Sequence, residues 1–252
     1  MQSPSITAKQ TEILLLLYKF RFLNRQQIQT ILNHKHFNRI SVWLADLVEK
    51  KMASRTYSRK FGENTRPAVY FLNIKSREIL KKSPNVLSSQ LNKLYEENKR
   101  SQYFREKSMF LADIYISLRA QTDGQLYFFT KSNLEEHQYL YKPLPDAYVA
   151  TVENGVTKRY FLETVSEQLP RFVIRKHIEY LFKYYTSGKW EQNTKHPFPT
   201  ILMVCPTYPT RAFISKFIKS QQDSETKNLA IYLSTIDQIK SRGLKPDIWQ
   251  KV

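Results

Sequence analysis

Between residues 35 and 66 the chain carries side chains suited to two kinds of contact with a polyanion. Lys35, Asn38, Arg39 and Ser41 cluster at the start of a helix-periodic stretch. Their ammonium, amide, guanidinium and hydroxyl groups match the donor and acceptor edges that bases present in the major groove. Arg55, Arg59, Lys60 and Arg66 surround the turn-rich segment Lys60-Phe61-Gly62-Glu63-Asn64-Thr65-Arg66-Pro67. Long cationic side chains on a loop suit backbone phosphate better than base edges, so these residues are expected to set salt dependence more than sequence choice.

Positioning these groups requires a small scaffold, and the flanking pattern supplies one. Thr7 is placed to cap a helix on which Ile13, Leu14, Leu17 and Tyr18 recur at helical spacing, ending near Phe20 and Phe22. Asn24 is placed to cap a second, from Arg25 to Leu32, with Ile28, Ile31 and Leu32 inward. From Phe37, the residues Phe37, Ile40, Trp43, Leu44, Leu47 and Val48 trace a wide apolar stripe, leaving Asn38, Arg39, Ser41, Val42 and Asp46 outside. After Lys51 the period shortens, and Met52 to Arg59 and Ala68 to Leu72 are expected as two strands joined by the basic loop. Three helices and a hairpin is the order of a winged helix-turn-helix, whose third helix enters the major groove. Residues 1–82 are expected to form this domain.

Charge supports the assignment. The 252 residues hold 40 Lys and Arg against 22 Asp and Glu, a formal +18, which favours polyanions through counterion release and steering. Residues 1–82 alone hold 16 basic and 5 acidic side chains, or +11. Double-stranded DNA is the leading partner. The longest apolar run, Ile13 to Tyr18, is far short of a membrane span, and residues 1–23 lack a secretory pattern, so a cytoplasmic address and no membrane partner are expected. The single cysteine, Cys205, sits in an apolar run and is read as core. Glycine-rich phosphate loops and clustered cysteines are absent, which argues against nucleotide hydrolysis and structural zinc. His34-Lys35-His36 resembles the metal-binding histidine pair of rolling-circle nickases only superficially, because that motif places an apolar residue between the two on a strand.

The remainder begins with a long helical stretch from Ser88 or Ser89, broken near Ser101 and ended by Asp123-Gly124. Residues 83–124 are expected to link the domains and pack on the second, which spans 125–252. Strands are expected at Gln125 to Lys131, Ala147 to Val152 and Lys158 to Val165, the last two joined by the hairpin turn Glu153-Asn154-Gly155. A helix over 170–187, a buried strand Thr200 to Cys205, a helix Thr210 to Ser220 and a strand Leu229 to Leu233 complete the order αβββαβαβ.

That order, with Pro145-Asp146 opening one strand and Phe161-Leu162-Glu163 on its hairpin partner, resembles the restriction-endonuclease-like, or PD-(D/E)xK, superfamily. The overall fold class is accordingly α+β or α/β: a winged helix followed by an αβββαβ nuclease-like domain. The resemblance implies that Asp146 and Glu163 serve as catalytic and metal ligands for Mg2+, which would activate water and stabilise the phosphate transition state. The superfamily places a lysine two residues after the glutamate, where this chain has Val165. Some members supply it from the following helix, which makes Lys176 the candidate third catalytic residue and Lys183 its alternate.

The winged helix, Leu144-Pro145-Asp146-Ala147-Tyr148, Phe161-Leu162-Glu163 and the run Ile178 to Gly188 together resemble the replication-relaxation family, over roughly residues 5–235. That resemblance implies a plasmid or mobile-element protein acting in replication initiation, relaxation or mobilisation, with a homodimer and other replication or mobilisation proteins as further candidate partners. The family usually carries an acid where Val165 stands, so cleavage and a degenerate, non-cleaving platform both stay open. The alternative function is a transcriptional regulator whose second domain dimerises or recruits partners; a winged helix that binds protein instead of DNA is the third reading.

Overall fold

The computed structural model describes residues 6–57, 67–84 and 86–252. The chain divides into two compact units, 1–116 and 117–252. Among the described residues, no helix is long and apolar enough to cross a membrane.

The first unit begins with helices α1 (Ala8–Phe20), α2 (Arg25–Ile31) and α3 (Phe37–Glu49). Thr7 and Asn24 cap α1 and α2 as expected, each in a capping box closed by a glutamine, Gln10 and Gln27. Ile13, Leu14, Leu17, Ile28, Ile40, Leu44 and Leu47 are wholly buried between the three helices. Strand β1 (Leu23–Asn24) precedes α2, and β2 (Ala53–Thr56) and β3 (Val69–Leu72) follow α3. They form an antiparallel sheet in the order β1-β3-β2, with Arg55 opposite Tyr70. This is a winged helix with a third strand too short for sequence periodicity to reveal.

Two features differ from what the sequence pattern predicts. Phe37 is 46% exposed instead of inward, because its ring is covered by the Arg25 guanidinium at 3.8 Å instead of by the core. The linking helices belong to the first unit up to residue 116, not to the second. After the short helix α4 (Arg77–Leu80) come α5 (Ser88–Glu97) and α6 (Gln102–Gln121), separated near Ser101. Leu87, whose side chain cannot cap, stands at the start of α5 where a serine was expected. Its N–H instead donates to the Tyr18 hydroxyl at 3.1 Å, and Asn98 donates to the Leu72 carbonyl at 2.8 Å. Buried Gln27 donates to the Met109 carbonyl at 2.8 Å and to Asp113 at 2.6 Å, tying α2 to α6. These polar ties hold α5 and the first part of α6 to the winged helix.

The second unit contains β4 (Gln125–Thr130), α7 (Lys131–Leu134), β5 (Ala147–Glu153), β6 (Val156–Thr164), α8 (Arg171–Thr186), α9 (Lys189–Thr194), β7 (Thr200–Cys205), α10 (Tyr208–Gln221), β8 (Ile231–Thr235), α11 (Ile236–Arg242) and β9 (Gln250–Lys251). One sheet runs β4-β5-β6-β7-β8-β9, antiparallel through β6, parallel across β6-β7-β8, and antiparallel again at β9. Asn154 and Gly155, both at positive φ, make the tight turn between β5 and β6. Helices α8 and α10 are the crossovers of the parallel strands, and right-handed crossovers between successive neighbours place both on one face. Ile174, Ile178, Leu181, Ile214 and Ile218 of these helices bury against Phe161, Ile201, Met203 and Leu233 of that face. Cys205 is fully buried there, and burial pushes its thiol up to about 12.

Candidate functional site

In the first unit, α3 and the turn before it present the residues expected to meet bases. Lys35, Asn38 and Arg39 are exposed, whereas Ser41 is half-buried and accepts a hydrogen bond from Arg25 at 3.2 Å. Arg25, which packs on Phe37 and holds Ser41, was missed in the sequence because it lies on the preceding helix. Val42, 59% exposed, follows Asn38 by one turn, so the outer stripe mixes polar groups with an apolar one of the kind that contacts a thymine methyl. Asp46, expected outside, is instead engaged by Lys50 at 2.8 Å and by Gln10, and the Lys50 hydrogen bond leads the effects that hold its carboxyl below the usual range. Trp43 is half-buried, with His34 edge-on to it at 5.1 Å. On the wing, Arg55 is exposed on β2 beside Tyr57, while Arg59, Lys60 and Arg66 lie outside the described residues.

In the second unit, strand register brings the two acids together. Tyr148 pairs with Phe161 and Ala147 with Leu162, so one step further sets Asp146 against Glu163. Side chains alternate along a strand, which puts Asp146 and Glu163 on the face of Tyr148 and Phe161, beneath α8. Both are buried, at 4% and 7% exposure.

Each carboxylate is already met by donors. Lys131, the first residue of α7, stands 2.8 Å from Asp146 Oδ1, while Oδ2 accepts the Thr164 N–H at 2.7 Å and its hydroxyl at 2.6 Å. The Tyr141 hydroxyl donates to Glu163 Oε1, and His177 Nε2 of α8 lies 3.4 Å from the same oxygen. Burial first, then the Glu163 charge, pushes the Tyr141 phenol well above its ordinary value, which keeps it a donor. Burial pulls His177 down, but the hydrogen bond and charge of Glu163 outweigh it and raise the imidazole above 6.5.

Lys176, expected as the third catalytic residue, points elsewhere. It is exposed on α8 with its ammonium 6.0 Å from the centre of the Tyr180 ring, and the neighbouring His177 is the residue that faces Glu163. Lys183 is likewise exposed. The lysine that does reach the pair, Lys131, comes from the strand side of the site and was not singled out from the sequence. Neither were Tyr141, Thr164 and His177: each meets the acids through tertiary contact, and no local spacing announces it.

Val165 has a structural explanation. Its position shares the face of Phe161 and Glu163, where it is 8% exposed in the apolar cluster beneath the helices. These residues do not fit a magnesium centre. Mg2+ is held octahedrally by oxygens, through carboxylates and retained waters. Here one oxygen of each acid is taken by a cation or a buried phenol, both acids are enclosed, and position 165 adds no ligand. Among the described residues, no three His, Cys, Asp or Glu side chains are grouped to hold a metal.

Solved structures similar to this chain include a variant of Lactococcus lactis ZitR, at 17% identity and TM-score 0.29, covering 48% of this chain and 78% of that one. The restriction endonuclease FokI is similar at 11% identity and TM-score 0.33, and its DNA-bound form at 12% and 0.31. In both, 95% of this chain is covered, and the chain spans 45% of FokI. No curated protein matches the sequence. The family model described as replication-relaxation matches residues 14–201, and with most of both units inside that match the chain belongs to the replication-relaxation family.

Proposed function

We propose that this chain is a sequence-specific, duplex-DNA-binding protein of a plasmid or mobile element, in which the nuclease-like unit serves as a platform and does not cut. The observation that carries the DNA reading is the outward stripe of α3, where Asn38, Arg39 and Val42 stand exposed at the start of the third helix of a winged helix, with exposed Lys35 in the turn just before it. A helix so placed reads base edges, while Arg55 and the cationic residues that follow it in the sequence, Arg59, Lys60 and Arg66, neutralise phosphates. The non-cleaving reading is supported by the internal neutralisation of Asp146 and Glu163 and by Val165.

The test combines binding and cleavage on DNA flanking the protein's own gene. Arg39→Ala is expected to weaken binding to the preferred site by about 1–3 kcal/mol while leaving unrelated duplex less affected. Arg55→Ala is expected to lower the salt slope by about one. Supercoiled plasmid is expected to stay intact with Mg2+ or Mn2+; nicking that disappears in Asp146→Ala would overturn the non-cleaving reading, and salt-insensitive, negligible affinity would overturn the DNA reading.

A further inference from the structure

The second unit has a charge distribution that its acid pair does not explain. Residues 117–252 carry 19 Lys and Arg against 13 Asp and Glu. Helices α8 and α10 alone hold seven of those cations and a single acid, Glu179, so the rest of the unit, with twelve of each, is neutral. The whole surplus lies on two helices that share one face of the sheet. A neutral domain with one cationic face is complementary to a polyanion at that face.

Aromatic rings are interleaved with the charges. Along α8 the exposed positions include Arg171, Phe172, Arg175, Lys176, Tyr180 and Lys183, with Glu179 the one acid among these cations and rings. Phe172 is 69% exposed and Tyr180 is 43% exposed. Eight residues separate them, about 12 Å along the helix. Tyr208, 60% exposed at the start of α10, has the Arg211 guanidinium 3.9 Å from its ring centre. Arg175 lies over both Phe213 and Phe217, at 5.3 and 5.5 Å, which fixes its stem across the junction of the two helices. Among the described residues of this unit, every cation-over-ring contact found lies on these two helices.

We infer that the α8–α10 face is a binding surface for single-stranded DNA, separate from the duplex-reading helix of the first unit. Phosphates alone would explain only the cations. Exposed rings set among them add platforms on which unpaired bases stack, an option closed to a base inside a duplex. The surface requires no sequence preference, because every base offers a π-face. It is carried by residues independent of those in the proposed duplex contact.

The experiment uses the full chain and two labelled probes, a twenty-nucleotide oligothymidylate and a duplex carrying the preferred site, with affinity read by fluorescence anisotropy. Phe172→Ala combined with Tyr208→Ala removes two exposed rings and is expected to weaken oligothymidylate binding about tenfold or more while leaving the duplex within about twofold. Lys216→Ala combined with Lys219→Ala is expected to reduce the salt slope for the oligothymidylate by about 1.4. Equal weakening of both probes by the ring variant would overturn the inference in favour of a duplex-binding face, and unchanged oligothymidylate affinity in both variants would overturn it outright. Arg39→Ala separates this outcome from failure of the proposed function, since it is expected to affect the duplex arm alone.

Discussion

Replacing Lys131 by methionine would remove the cation at Asp146 while keeping the aliphatic stem. Asp146 is 5% exposed by its side chain and Lys131 is 50% exposed, so the pair is neither a surface pair nor a fully enclosed one. Exposed pairs contribute about 0.2–1 kcal/mol, whereas removing one partner of a buried pair costs about 3–5 kcal/mol because a charge is stranded. Water reaching the lysine end discounts the second figure, and a loss of about 2 kcal/mol is expected. The assay is urea unfolding followed by tryptophan fluorescence in a Trp43→Phe background, so that Trp190 and Trp249 report the second unit. Repeating Lys131→Met in an Asp146→Asn chain closes a double-mutant cycle, and the loss is expected to shrink below about 0.5 kcal/mol because no charge is left to strand. Equal losses in the two backgrounds would show that Lys131 acts through packing. No loss in either would show that Asp146 does not depend on an internal cation and is free to take Mg2+ in its place.

Two further outcomes follow from contacts made by buried side chains. His177 has a folded value raised above 6.5, so its contribution is fully present below pH 6.5 and is lost as pH rises through that raised value. The stability of the wild type, measured by urea unfolding from pH 6 to pH 8.5, is expected to fall more steeply than that of His177→Gln; parallel profiles would refute the assignment. Gln27→Ala removes the side-chain half of the capping box of α2 and both ties to α6, and is expected to destabilise the first unit by about 2 kcal/mol in the same assay, against less than 0.5 kcal/mol if those bonds are idle.

The sequence was most legible where the signal was local. Caps at Thr7 and Asn24, the period change after Lys51, the Asn154-Gly155 turn and the run Thr200 to Cys205 all lie where expected, because capping, periodicity and turn chemistry act over a few residues. The hairpin likewise brought Asp146 and Glu163 together, since a tight turn fixes register. Long-range contact was not legible. Phe37 fits an apolar helical stripe, yet an arginine from the preceding helix covers it. The helices after residue 88 read as a linker to the second unit because their side chains do not announce the Tyr18 hydroxyl or Gln27 that hold them to the first. The site lysine was sought beyond Glu163, along the chain, whereas the fold delivers Lys131 from across the sheet.

The capping boxes of α1 and α2 have an electrostatic consequence for the proposed contact with phosphate. A box can be closed by glutamate or by glutamine, and both here use the neutral amide; the first turns of α1, α2 and α3 contain no acid at all. The orphan N–H groups are satisfied without adding carboxylates, so the fractional positive end of each helix, about half an elementary charge, is left uncancelled. The winged helix therefore carries a basic field with two sources, its lysines and arginines and the backbone itself. Only the first can be titrated away by side-chain substitution.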